Sequence, residues 1–600
     1  MKRLIALFLI LLLLAGCADP DTPSTAPSVQ PDTSPSVQPS TSPTVSAVDP
    51  DSLFSDRDND STATAEPNLL ITLQGDSVQS SAPGIQIDGT TVTITREGIY
   101  SLTGTLDSGS VIIDAPKDAK IQLILENVSI TNPTGAAIYV RQADKTFLTT
   151  AENTENRLSN GGSFTAIDEN NIDAVIFSKD DLTLNGNGAL TIESPAGHGI
   201  VSKDELTITS GSYSITTASH GMTGKDSVTI SGGSFTIAAG KDGIQADHDE
   251  DAALGFVYIG GGTFDITAAG DGISASSALQ IDDGSFHILT GGGSENGKQH
   301  SSEGWGGMGG GPGGFPGGSR PGGRSSDTTT DTSDDSTSMK GLKAGSHLIL
   351  NGGAFTLNCA DDAAHSNGDL TVTNGVFELQ TGDDGFHGEE NLTISGGSIT
   401  ITESYEGLEA QHILVAGGTI RLKASDDGLN AAGGMDQSGN GGRDQMFGGG
   451  FGGMHAGNGS ITISGGSLYI NASGDGIDAN GTLEITGGHT VVVGPTVGDT
   501  ATLDYDTSAV ISGGTFIGTG ASSMMAQTFS DSQNQGVIAV QVGSAPAGTQ
   551  ITLTDSSGKV LIEHTPELSF NIVILSSPDM IKGGSYTITV GTASGTFDAS

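Results

Sequence analysis

GMTGKDSVTISGGSFTIAAGKDGI, residues 221–244, holds one complete unit of a repeat and the opening of the next. Gly221 is followed by apolar Met222, then by the alternation Val228-Thr229-Ile230, the pair Gly232-Gly233, and a second alternation, Phe235-Thr236-Ile237. At Gly243-Ile244 the unit starts again. Working outward, Gly199, Gly221 and Gly243 recur every 22 residues, as do Gly341, Ala363, Gly385 and Gly407, with Gly428 coming 21 later. The longer gaps to Gly272, Gly341 and Gly476 are filled with loop-like Gly, Ser and Asp. A fixed period of this size is the mark of stacked coils.

Period-two runs of Thr, Ile, Val and Phe, with no apolar spacing of three and four, make the units β rather than α. A leucine-rich repeat needs a helix-like segment per unit and a propeller blade about 40 residues, which leaves an all-β parallel β-helix. Its inward side chains form ladders, and Ile200, Met222, Ile244, Ile273, Leu342, Phe386, Leu408, Leu429 and Ile477 are predicted to be one. The Gly-Gly pairs, among them Gly232-Gly233 and Gly465-Gly466, fit a corner where glycine's conformational freedom is needed.

The repeat is expected to fill residues 68–520, interrupted by disordered Gly-rich inserts at about 291–339 and 432–457 that carry Trp305, Phe315, Phe447 and Phe451. Residues 69–160 read as irregular first coils, and 521–600 as a small C-terminal β cap over the open end. Residues 1–17 read as a lipoprotein signal peptide: Met1-Lys2-Arg3, an apolar run, then Leu14-Ala15-Gly16-Cys17, too short to span a membrane. Cys17 is the expected lipidation site, giving an extracytoplasmic protein anchored to the bacterial membrane by lipid alone. Residues 18–67, rich in Pro, Ser and Thr, read as a disordered spacer. The remaining cysteine, Cys359, is predicted to be a small buried residue. A formal net charge of −47 argues against nucleic acid and against direct attraction to anionic lipid. The protein is expected to be a monomer.

Aligned on the repeat glycine, His198, His220, Asp242, Asp271, Lys340, Asp362, Asp384, Glu406, Asp427 and Asp475 share one column. Asp361, Asp383, Tyr405 and Asp426 precede it; Lys343, His365, His387, Glu409, Asn430 and Asp478 stand two residues after the glycine. Carboxylates stacked ~4.8 Å apart repel by roughly 1 kcal/mol in water and by more inside a protein. Calcium, which takes six to eight oxygens in tolerant geometry, is the economical compensation, with Asp361, Asp362, Asp383, Asp384, Glu406, Glu409, Asp426, Asp427, Asp475 and Asp478 as candidate ligands. Ordinary Asp-Gly turns and proton shuttling between paired carboxylates are the competing readings. His365, His387, Tyr405, Arg421 and Lys423 are candidate contacts for a bound ligand. Ser178-Lys179-Asp180, Ser202-Lys203-Asp204 and Gly224-Lys225-Asp226 read as a surface charge network.

In Lys340-Gly341-Leu342-Lys343-Ala344, Asp361 through Gly368, Asp383-Asp384-Gly385-Phe386-His387, Asp426-Asp427-Gly428-Leu429-Asn430 and Gly474-Asp475-Gly476-Ile477-Asp478, the chain resembles the carbohydrate-binding-domain family of bacterial surface proteins. The resemblance implies a right-handed parallel β-helix akin to pectate lyases that binds acidic sugars and cellulose with calcium. The expected function is therefore a cell-surface lipoprotein holding plant-type polysaccharide, such as polygalacturonate, through calcium. A calcium-dependent polysaccharide lyase and a calcium-rigidified surface rod are the alternatives. No residue is assigned a catalytic part.

Overall fold

The structure, a computed structural model, describes residues 48–62, 69–248, 250–298, 338–432, 458–496, 500–522 and 526–600. The expected signal peptide with Cys17, residues 18–47 and 63–67 of the expected spacer, and most of both Gly-rich inserts with their aromatics lie outside the described residues. Among those described there is no α-helix, and no helix long and apolar enough to cross a membrane.

Each coil contributes three strands. In the unit that opens at Gly221 they are Met222–Gly224, Ser227–Ile230 and Ser234–Ala239. Each pairs in parallel with its counterpart one coil later: Met222 with Ile244, Ser227 with Phe256, Ser234 with Thr263. A chain whose every strand pairs with its equivalent in the next turn is a parallel β-helix. The sequence displays only two alternations per unit because the third strand is three residues long, too short to show a period.

The predicted ladder is present. Ile200, Met222, Ile244, Ile273, Leu342, Ala364, Phe386, Leu408, Leu429 and Ile477 are consecutive register partners, all fully buried. The pairings Ile273 with Leu342 and Leu429 with Ile477 join strands on either side of the two inserts, so the stack is continuous across both. A second ladder stacks the rings of Tyr213, Phe235, Phe264, Phe286, Phe355 and Phe377 at 4.7–5.2 Å. Cys359 is buried, as expected.

Two kinds of glycine close the turns. In the Gly-Gly corner the second member takes positive φ, 80° at Gly466, where a Cβ would meet the Gly417 carbonyl oxygen at 2.8 Å. The repeat glycine serves close approach instead: a Cβ on Gly221 would lie 2.4 Å from the Gly243 oxygen.

The ends differ from the middle. Ile85–Asp88 and Thr91–Ile94 form an antiparallel hairpin at the first coils, while Leu70–Gly75 already pairs in parallel with Gly98–Leu106. At the other end Ser508–Gly520 pairs antiparallel with Phe570–Ile581, and a separate four-stranded sheet follows. This is the expected β cap.

Two expectations change. The spacer assigned to residues 18–67 is not free throughout: Val48–Thr62 lies against the β-helix, with Asp58 only 2% exposed. It is a strap, held by Lys145, Thr183, Asn185 and Thr209. The Lys-Asp network does not form either. No ion pair joins Lys179, Lys203 or Lys225 to its neighbours among the described residues; the Lys203 ammonium instead lies over the Phe177 ring at 5.6 Å. Burial, then hydrogen bonding to Asp226, pushes the Asp204 carboxyl up to about 7.

Candidate functional site

The carboxylate column is a backbone feature first. The repeat residue's N–H donates to the carbonyl of the next column residue at each step: Gly341 to Asp362, Ala363 to Asp384, Gly385 to Glu406, Gly407 to Asp427, Gly428 to Asp475. Side chains reinforce this ladder. Asp362 Oδ1 accepts the Asp384 N–H at 3.0 Å, Asp384 Oδ1 accepts that of Glu406 at 3.2 Å, and Asp427 and Asp475 do the same for Asp475 and Ala501. One oxygen of each of these carboxyls thus caps the next coil, leaving the other for chemistry.

The second column is also in register, Lys343, His365, His387, Glu409, Asn430 and Asp478 being successive partners. With the first column it defines a polar corner running along the stack, and the structure divides that corner in two.

The upstream half carries its own cations. Lys340 Nζ, 4% exposed, lies 2.6 Å from Asp362 Oδ2 and 3.1 Å from Asp361 Oδ1. His365 Nδ1 also reaches Asp362 Oδ2, at 2.8 Å, and its Nε2 faces Asn367 Oδ1 at 3.0 Å. His387 Nδ1 sits between Asp384 Oδ2 at 3.0 Å and Glu409 Oε2 at 2.9 Å, with the His365 and His387 rings 4.7 Å apart. Burial opposes the charge of Asp362, but Lys340 and His365 outweigh it and hold the carboxyl well below its ordinary range. Burial also opposes protonation of His387, and Glu409 with Asp384 overcomes it, so this ring is cationic. His365 is the reverse case: burial and then the Lys340 charge push it down to about 4, leaving it neutral. The sequence reading looks to calcium to balance the carboxylates. In this half Lys340 and the cationic His387 supply positive charge from the chain itself.

The downstream half gathers three carboxylates. Asp427, Asp475 and Asp478 bring one ligand oxygen each to within 4.8 Å of one another. Burial, then Asp475 and Asp426, pushes the Asp427 carboxyl up to about 9. Burial, then Asp475 and Asp504, pushes Asp478 up to about 7. Glu406, between the halves, is raised by burial and by Glu409, and both its oxygens accept from Asn430 Nδ2, at 3.0 and 2.8 Å. Three hard carboxylate donors lying together suit a calcium ion. The upstream half is a poor fit, because an ammonium already occupies the place between Asp361 and Asp362.

The remaining candidates fall unevenly. Tyr405 lies beside the column, its phenol raised by burial and by a hydrogen bond to Asp426. Arg421 and Lys423 project from the outer face of Thr419–Ala424, which stacks on Ser398–Glu403 and Ser467–Ala472 rather than on the strands of the column. There the Arg421 guanidinium binds Glu567 at 2.8 Å and lies 4.1 Å from the Tyr469 ring centroid. The structure does not bring them to the carboxylate corner. Lys340's contacts were missed because a lysine in an acidic column looks like an interruption, although its place in that column was the signal.

The description of carbohydrate-binding domain-containing proteins matches residues 88–385. A carbohydrate-binding domain-containing protein of Acetivibrio thermocellus is 34% identical over 156 residues, which is 26% of this chain and 54% of that protein. The match thus spans about half of that relative's length. A polysaccharide lyase-like protein from C. thermocellum, solved as a gadolinium derivative, is 34% identical, with a TM-score of 0.36 over 37% of this chain and 91% of its own. Through residues 88–385 the chain belongs to the carbohydrate-binding domain-containing protein family.

Proposed function

We propose that this protein is an extracytoplasmic lipoprotein that holds acidic polysaccharide by sharing calcium between the polymer's carboxylates and its own. The observation carrying this reading is the Asp427, Asp475 and Asp478 cluster, whose ligand oxygens converge within 4.8 Å of one another. Carboxyls crowded and buried in this way take up protons more readily, as the raised Asp427 and Asp478 show. A divalent ion relieves their repulsion without protonation and, taking six to eight oxygens, keeps coordination positions open for the carboxylate oxygens of an anionic polymer. The leader and Cys17 supply the anchor, and membership of a carbohydrate-binding family supports a polysaccharide as partner.

The lyase reading needs a base beside the metal and the sugar. Lys340 is buried against two aspartates and Arg421 is committed to Glu567, so neither supplies one. The test is retention of the chain from Val48 onward on insoluble polygalacturonate and on cellulose, with calcium and with chelator, while unsaturated product is followed by absorbance. Calcium-dependent retention on polygalacturonate without product is the expected result. Absorbance growing with time would establish the lyase, and retention on neither polymer would leave calcium a purely structural part in a surface rod.

A further inference from the structure

The seat of the strap has the chemistry of a binding site. Phe147, Thr183, Thr207, Thr229, Tyr258 and Gln280 are register partners on successive coils. They face outward from strands whose alternate residues, such as Leu182, Leu206 and Val228, fill the core. All six are nonetheless at most 5% exposed. Further along the same column Ile349 is 6% exposed, Thr371 and Thr393 are half-buried and Leu414 is 36% exposed. The strap lies over the first six. Val48 N–H donates to Gln280 Oε1 at 3.1 Å, the Phe54 ring lies 6.1 Å from that of Tyr258, and the Arg57 guanidinium lies 4.6 Å over Phe147.

At the centre of this contact sits a carboxylate. Asp58 Oδ1 accepts from Thr183 Oγ1 at 2.6 Å and pairs with Lys145 Nζ at 2.9 Å. Its other oxygen is held by Ser55 of the strap itself. Asp181 and Glu205 lie near enough to feel the Lys145 charge, yet the pocket still accommodates a full negative charge. Burial opposes that charge, and Ser55, Thr183 and Lys145 outweigh the opposition. The floor of the groove offers hydroxyl, amide and aromatic faces at one coil spacing, ~4.8 Å. Such a floor suits an extended, polar, carboxylate-bearing polymer lying along the axis, as the strap does.

We propose that the Lys145–Thr183 pocket is a metal-independent subsite for the carboxylate of an acidic glycan, and that Val48–Thr62 is its built-in occupant, with Asp58 standing where a uronate carboxylate binds. The proposal takes its ligand class from the calcium-bridged reading but uses neither its residues nor its ion. Self-occupation lowers the apparent affinity by the fraction of molecules whose groove is open, so loosening the strap raises binding.

The test is retention of the full chain on insoluble polygalacturonate in chelator, where calcium bridging cannot contribute. Asp58→Asn is expected to raise the retained fraction at least about tenfold over the unsubstituted protein. Phe54→Ala, which loosens the strap but leaves Asp58 and Lys145 intact, is expected to move it in the same direction. Adding Lys145→Met to either variant should remove the gain, and retention on cellulose should not change. Protease cleavage within Val48–Thr62 reports strap release. The proposal is overturned if a released strap brings no chelator-resistant retention, if the gain survives Lys145→Met, or if the strap stays protected in both variants. Calcium-dependent retention of the unsubstituted protein is a separate readout, so either reading can fail while the other stands.

Discussion

Lys340 shows how one side chain decides what a stack of carboxylates can do. It occupies the acidic column itself, 3% exposed, and bridges Asp361 and Asp362 one coil on. Removing one partner of a buried ion pair strands the other charge and typically costs about 3–5 kcal/mol. Lys340→Met is therefore expected to lower stability by that order in urea unfolding, while Asp361→Asn, which leaves the 2.6 Å contact to Asp362 in place, should cost clearly less. Equal losses would show that the pair is not what holds this corner. Asp204 gives a pH dependence. Its carboxyl titrates at about 7 in the fold, from burial and then Asp226, well above an aspartate's ordinary 3.8. A raised acid pKa means the folded state binds the extra proton, so its contribution to stability is present at low pH and is lost as pH rises from about 4 through about 7. Asp204→Asn should flatten the fall in Tm between about pH 4 and about pH 7; an unchanged slope would place the titration elsewhere. The positions of these residues could be read from the repeat, because register is set by period. Their protonation could not. Whether His365 is neutral and His387 cationic depends on which carboxylates lie across the coil boundary, and spacing along the chain does not specify that.

Among the elements, the strands of the repeat were the most legible and the strap the least. Ser234–Ala239 and its successors declare themselves through Phe-Thr-Ile alternation, and their inward aromatics form the ring ladder. Phe286 is 2% exposed, with Phe264 and Phe355 each 4.7 Å away. Phe286→Ala would open a cavity in the middle of that stack, and such truncations cost about 3–5 kcal/mol. The expected outcome is a loss of this size in chemical denaturation with the circular-dichroism spectrum of the folded state preserved; a loss below about 1 kcal/mol would mean the coils close over the gap. Val48–Thr62 gave no comparable signal. Its Pro, Ser and Asp content is that of a spacer, and its order comes from a few contacts to distant coils, Asp58 with Lys145 and Phe54 with Tyr258. Composition reports what a segment can bury on its own, not what a prebuilt surface offers it.

For the whole molecule, the question is how a solenoid with a formal charge of −47 stays together. Two kinds of repulsion act, and they differ in range. Surface carboxylates repel over distances comparable to the Debye length, about 10 Å at 0.1 M salt, so sodium chloride should raise Tm by screening them. The oxygens of Asp427, Asp475 and Asp478 lie within 4.8 Å and are partly buried, so little salt can come between them. Calcium bound there adds stability according to its occupancy, about 2.7 kcal/mol at a hundredfold excess over its dissociation constant. The expected result is that Tm rises with sodium chloride to a plateau and that calcium then adds a further, saturable rise at that plateau. Asp427→Asn together with Asp478→Asn should abolish the calcium increment and leave the salt response intact. The pair should also make the metal-free protein more stable at about pH 8, because two mutually repelling acids are gone. If instead calcium does no more than an equal ionic strength of sodium chloride, its effect is screening alone. The carboxylate column would then be a backbone-capping ladder, and the acidic glycan would have to be held by the Lys145 pocket rather than through a shared ion.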